Sequence, residues 1–92
     1  MPTYIALLRK DPSSDFGVDF PDFPGCTTVG RTLQEAKELA AEALTGHLEV
    51  MAEFKEPIPE PSSVEAIMAD PDNADAVPFL VTVPVPSAAA TA

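Results

Sequence analysis

The run Phe20-Pro21-Asp22-Phe23-Pro24-Gly25-Cys26-Thr27-Thr28-Val29-Gly30-Arg31-Thr32-Leu33-Gln34-Glu35-Ala36 divides the chain into a strand-rich part and a helical part. Pro21 and Pro24 lack the N–H that a regular ladder needs, so strand pairing pauses there. Gly25 after Pro24 fits a type II turn, whose third residue takes a positive φ, and Gly30 reads as an analogous turn glycine. Thr32 followed by Glu35 is a capping box: the hydroxyl accepts from a first-turn N–H and the glutamate reaches back. The stretch is thus a set of turns and a helix start, with residues 26–29 supplying a short strand between them.

Upstream, Tyr4-Ile5-Ala6-Leu7-Leu8 is apolar in both parities, which suits a central strand covered on both faces. After the turn cluster Asp11-Pro12-Ser13-Ser14-Asp15, the run Phe16-Gly17-Val18-Asp19-Phe20 alternates, with Phe16, Val18 and Phe20 inward and Asp19 outward. The two runs form an expected antiparallel hairpin. Downstream, apolar residues recur at Leu33, Ala36, Leu39, Ala40, Ala43, Leu44, His47, Leu48, Met51 and Phe54, a helical stripe that ends near Lys55 or Glu56, before Pro57. Glu35, Glu38, Glu42, Glu49 and Glu53 take its wet face, and Gly46 in its middle implies close packing or a slight bend.

Ile58-Pro59-Glu60-Pro61-Ser62 is a stiff extended connector. Ser62 with Glu65 reads as a second capping box opening a short helix through Ile67 and Met68. An acidic loop with Asp70, Asp72 and Asp75 follows, then a last strand over residues 77–83. A right-handed crossover through the long helix would lay that strand parallel to the first. The expected fold class is α+β: a small four-stranded mixed sheet, a three-stranded antiparallel meander plus a final strand, with one long helix packed on it and a short second helix. The short helix leaves one sheet face thinly covered, so a homodimer or higher homo-oligomer is expected.

The composition narrows function. Ninety-two residues suit one modest core, expected over residues 1–86 with a flexible tail at 87–92. A net charge of −10 disfavours unaided binding to nucleic acid or anionic lipid and favours a basic partner. Met1-Pro2-Thr3-Tyr4-Ile5 has no basic leader, and the single Cys26 makes no internal disulfide, so the expected location is cytoplasmic.

The Phe20–Cys26 run with Gly30, Thr32, Glu35 and Ala36, and Ile58-Pro59-Glu60-Pro61-Ser62 after the helix, resemble the signature of HicB-type antitoxins. That resemblance implies a partial ribonuclease-H-like fold with sheet order 3-2-1-4. It also implies neutralisation of HicA, a small mRNA-cleaving toxin that uses a histidine. Many members of the family continue into a DNA-binding module, and none is expected within these residues.

Enzymatic chemistry is not expected, and no catalytic residue, metal or cofactor is assigned. Metal-dependent cleavage of phosphodiesters needs converging carboxylates, usually with one on the central strand, and residues 4–8 hold none. Asp15, Asp19 and Asp22 read as turn and surface charges, which leaves a degenerate nuclease as a third reading. Cys26 and His47 read as packed residues rather than a nucleophile and base. Asp70, Asp72 and Asp75, with Glu38 and Glu42, are the candidate contacts to a basic ribonuclease toxin, because carboxylates can compete for a surface that binds phosphate. The alternative is a stand-alone oligomeric scaffold or regulatory domain without a toxin.

Overall fold

Strand β1 (Thr3–Lys10) carries the sheet. The computed structural model describes residues 2–10 and 15–84. The turn cluster read at 11–15 lies outside them except for Asp15, and so does the tail expected at 87–92. Along β1, β2 (Phe16–Asp19) pairs antiparallel on one side, and β3 (Thr27–Gly30) pairs antiparallel with β2. The last strand, β4 (Val77–Thr82), lies on the other side of β1, so the sheet order is β3-β2-β1-β4.

The order and the helices match the expectation, but the direction of β4 does not. Thr3 faces Thr82 and Leu8 faces Val77, so the pairing is antiparallel and the whole sheet is antiparallel rather than mixed. The physical reason is the path between helix and strand. Helix α1 (Leu33–Glu53) carries the chain from the Gly30 end of the sheet to the Tyr4 end. Residues 57–76 then climb back across the opposite face before β4 begins, which reverses the direction a single crossover would give. Tyr4 Oη donates to the Pro59 carbonyl at 2.6 Å at the bottom of that climb, and Arg9 Nη1 donates to the Asp72 carbonyl at 3.1 Å near its top.

The turns follow their local chemistry. Phe23 O accepts from Cys26 N at 2.9 Å across Pro24 and Gly25, whose φ is +90°, as a type II turn requires. Phe20 O accepts from Phe23 N at 2.9 Å across Pro21, so two successive turns build the loop. Gly30 differs from the expectation: among the described residues, Gly25 is the glycine with positive φ. Gly30 is needed for space, since a Cβ there would lie 2.5 Å from Ala36 N and 2.7 Å from Ala36 Cα. Gly46 has open space beside it, so close packing does not account for it.

Thr32 Oγ1 accepts from Glu35 N at 3.0 Å, and Glu35 Oε1 accepts from the Arg31 backbone N–H at 3.1 Å, one residue before the cap. At the other end Lys55 takes φ +56°, with Lys55 N donating to Ala52 O and Glu56 N to Met51 O, the pattern of a Schellman close. Ala36, Ala40, Leu44 and Leu48 are buried, while Leu33 and Phe54, the ends of the predicted stripe, are exposed. At 1.5 Å per residue the helix is about 31 Å long, and a four-residue strand is only about 13 Å, so its ends overhang the sheet. Helix α2 (Val64–Met68) starts one residue later than expected, capped by Ser63, because Ser62 is taken up by the carboxylate of Asp22.

The core has two parts. Tyr4, Ala6, Val18, Phe20, Phe23 and Val81 pack under α1, whereas Ile5 and Leu7 on the other face of β1 meet Ile67 and Ala76.

Candidate partner-binding surface

The carboxylates predicted to meet a partner fall into two groups on opposite faces of the sheet. Glu38 and Glu42 are exposed on the outer side of α1, and Gln34 Nε2 donates to Glu38 Oε1 at 3.0 Å. Asp70, Asp72 and Asp75 are exposed on the face covered by α2 and the 3-10 turn Pro71–Asn73. The fold therefore keeps the two groups apart, and a partner seated flat on one face meets only one of them.

The second group is tied to the sheet by Arg9. Periodicity puts Arg9 on the Ile5 and Leu7 face, where its guanidinium donates to Asp19 Oδ1 at 2.6 Å and to Asn73 Oδ1 at 2.7 Å. The Asp19 hydrogen bond is the main cause of the guanidinium's raised pKa, followed in the same direction by the charges of Asp19, Asp72 and Asp70. Asn73, itself buried, donates from Nδ2 to the Ile67 carbonyl at 2.9 Å, locking α2 to the turn. Asp70 caps that turn, accepting from Asp72 N at 2.9 Å. Asp70 is thus half structural, whereas Asp72 and Asp75 point their charge at solvent from a braced loop. Sequence reading missed Arg9 and Asn73; the shared parity of Ile5, Leu7 and Arg9 was the available signal for the first.

The nuclease carboxylates are separated by their partners. Asp19 pairs with Arg9, and Asp22 accepts from Ser62 Oγ at 2.5 Å and Ser62 N at 2.9 Å, holding the connector to the loop of residues 20–26. Among the described residues no group of three His, Cys, Asp or Glu is placed to hold a metal ion. Burial pushes the Cys26 thiol up, away from the nucleophilic thiolate. His47 sits edge-on to Phe23 with ring centroids 5.6 Å apart, which is packing geometry. Among the described residues no helix is long and apolar enough to cross a membrane.

Comparison with known proteins decides the family. Residues 4–92 match the family described as the HicB-like antitoxin of bacterial toxin-antitoxin systems. The chain belongs to the HicB-like antitoxin family. The antitoxin HicB of Burkholderia pseudomallei has a crystal structure that superposes with a TM-score of 0.82 at 37% identity, covering 90% of this chain and 64% of that one. An uncharacterized 14.9 kDa protein from the rep-hol intergenic region of Haemophilus phage HP1 is 41% identical over 66 residues, 72% of this chain and 47% of that protein. The HicB-like chain thus spans about half to two thirds of the length of these relatives. At 24% identity the fold is shared with a chain of a HicA3 and HicB3 toxin-antitoxin complex, with a TM-score of 0.72 and coverage of 89% of this chain and 98% of that one.

Proposed function

We propose that this HicB-like chain neutralises a small, basic, RNA-cleaving toxin of the HicA type by covering the surface that would meet RNA. The observation that carries the reading is the family match over residues 4–92. The net charge of −10 supports it, because a protein that grips phosphates must present cations, and carboxylates compete for them. The chain acts by binding, without catalysis, metal or cofactor, and without touching nucleic acid itself. Its place of action is the cytoplasm, where mRNA is. Residues 1–86 form the binding domain.

Of the two carboxylate groups, Asp72 and Asp75 on the braced loop and Glu38 and Glu42 on α1 are alternative toxin-facing surfaces that one experiment separates. The toxin gene is sought in the adjacent reading frame and co-expressed with wild-type chain, with Asp72→Lys/Asp75→Lys, or with Glu38→Lys/Glu42→Lys. Wild type is expected to restore growth and to hold the toxin through affinity purification, with one of the two variants failing at both. If the neighbouring frame encodes no small basic partner, or the purified pair does not form, the proposal falls.

A further inference from the structure

Gly46 is the one residue of α1 that the fold of the chain does not itself explain. Glycine is among the poorest residues for a helix interior, yet α1 runs unbroken through it. It has no positive φ, and a Cβ there would meet no atom within 4 Å. The missing side chain instead opens a groove between α1 and β4, lined by Thr45 and Gly46 on one side and Thr82 and Val83 on the other. The hydroxyls in it are already satisfied. Thr45 Oγ1 donates to the Ala41 carbonyl at 2.8 Å, and Thr82 Oγ1 shares a 2.7 Å hydrogen bond with Thr3 Oγ1. Polar recognition is left to Glu42 and Glu49, which flank the groove. Among the described residues neither carboxylate has an ion-pair or hydrogen-bond partner. Residues 42, 46 and 49 follow the i, i+4, i+7 spacing of one helix face, so the gap lies between the two charges.

We propose that a basic segment of the toxin docks in this groove, its backbone closest at Gly46 and two of its cations facing Glu42 and Glu49. The assignment rests on the toxin reading above and gives the contact to α1 rather than to the loop of Asp72 and Asp75. Charge selects the surface. On the loop side the Arg9 guanidinium lies close enough to Asp72 and Asp70 for their charges to act on it, and it offsets them in turn. Glu42 and Glu49 keep their full charge for a partner. Seven residues separate them, about 10 Å along the helix, which fixes the spacing of the cations they receive. Between them the absence of a Cβ lets a second backbone approach α1 more closely than any other residue would allow. Charge also selects the occupant. A second copy of the chain carries a net charge of −10 and would bring the same glutamates to the groove, whereas a protein that grips phosphates brings cations.

Two measurements on each variant test it: the melting temperature of the free chain, and its affinity for the toxin of the adjacent reading frame by calorimetric titration. Gly46→Gln places a helix-favouring side chain in the groove. The free chain is expected to melt about 3 °C or more higher, while affinity falls at least about tenfold. A gain in stability together with a loss of binding separates blockage of the groove from damage to the fold. Gly46→Ala, which adds only a methyl group, is expected to share the gain and to lose less affinity. Glu42→Gln/Glu49→Gln is expected to weaken binding and to make what remains less sensitive to salt. If the toxin binds the wild type and Gly46→Gln equally well, the groove assignment falls and the toxin reading stands. If no toxin binds the wild type, both fall. A free chain that melts lower with Gly46→Gln shows that the glycine serves the fold, and overturns the assignment. If Gly46→Gln instead changes the oligomeric state of the free chain in sedimentation, the occupant is a second copy and the proposal is refuted.

Discussion

The two faces of β1 are held by different physics. On one, Tyr4 and Ala6 lie under a 21-residue helix within a continuous apolar core that includes Phe20, Phe23, Leu44 and Leu48. On the other, Ile5 and Leu7 pack with Ile67, Ala76 and the half-buried Met68, and the covering segment is anchored by Arg9, Asp19 and Asn73 through hydrogen bonds. Burial of apolar area stabilises without regard to direction, whereas a hydrogen-bond network adds little net energy but fixes position. The first face supplies the stability and the second holds a charged loop in place.

Gly30→Val should be the most damaging change, since its side chain would collide with the backbone of α1 rather than a movable side chain. A loss of about 3 kcal/mol or more, or failure to fold, is expected in urea denaturation. Wild-type stability would show that α1 can lift off β3 freely, against the division drawn above. Leu44→Ala should come next at about 3 kcal/mol, with Ile67→Ala nearer 2, because the site of Ile67 is at a rim that can collapse. Equal costs in parallel melts would erase the contrast between the faces.

Asn73→Ala should cost about 1–3 kcal/mol, by leaving the Ile67 carbonyl and the Arg9 guanidinium short of a partner. Amide exchange in residues 64–76 should quicken selectively while α1 stays protected. A uniform change across the molecule would show that the two faces unfold together.

Alkaline pH probes the α1 face alone. Burial raises the Cys26 thiol, and burial followed by the charges of Asp22 and Glu60 raises the Tyr4 phenol, so both stay neutral in the fold after they would ionise in the unfolded chain. Their contribution is complete below the unfolded pKa values and is lost as pH rises through the folded ones. The melting temperature should therefore fall from about pH 9 upward. Cys26→Ser/Tyr4→Phe should flatten that fall, and an unchanged slope would contradict the assignment. The smallest effect is a gain: Lys55→Gly should stabilise by about 1 kcal/mol, because a left-handed residue at the close of α1 suits glycine.

Local chemistry was legible and long-range chemistry was not. The capping box at Thr32, the alternation of β2 and the turn at Pro24 and Gly25 each depend on residues within a few positions, and the structure has them as read. Sequence spacing cannot show that a Cβ at Gly30 would lie 2.5 Å from the backbone of Ala36, so from sequence this glycine reads as a turn residue. The direction of β4 depended on the path of residues 57–76, which is set by Tyr4 with Pro59 and by Asp22 with Ser62, pairs separated by 55 and 40 positions. The acidic residues were legible as charges, but their division between two faces required the fold.

The pairing of β1 with β4 joins Thr3 to Thr82, the first of the described strands to the last of them. Non-local closure of that kind slows folding, since the entropy of the loop is lost before the ladder is gained. As the chain leaves the ribosome, β1 has β2 on one side but an open edge on the other until nearly the whole domain has been synthesised. Its apolar faces wait through the making of α1 and the return across the sheet. β4 therefore seals a strand made well before it, and a chain cut short before β4 would expose the strand at the centre of the sheet to aggregation and proteolysis.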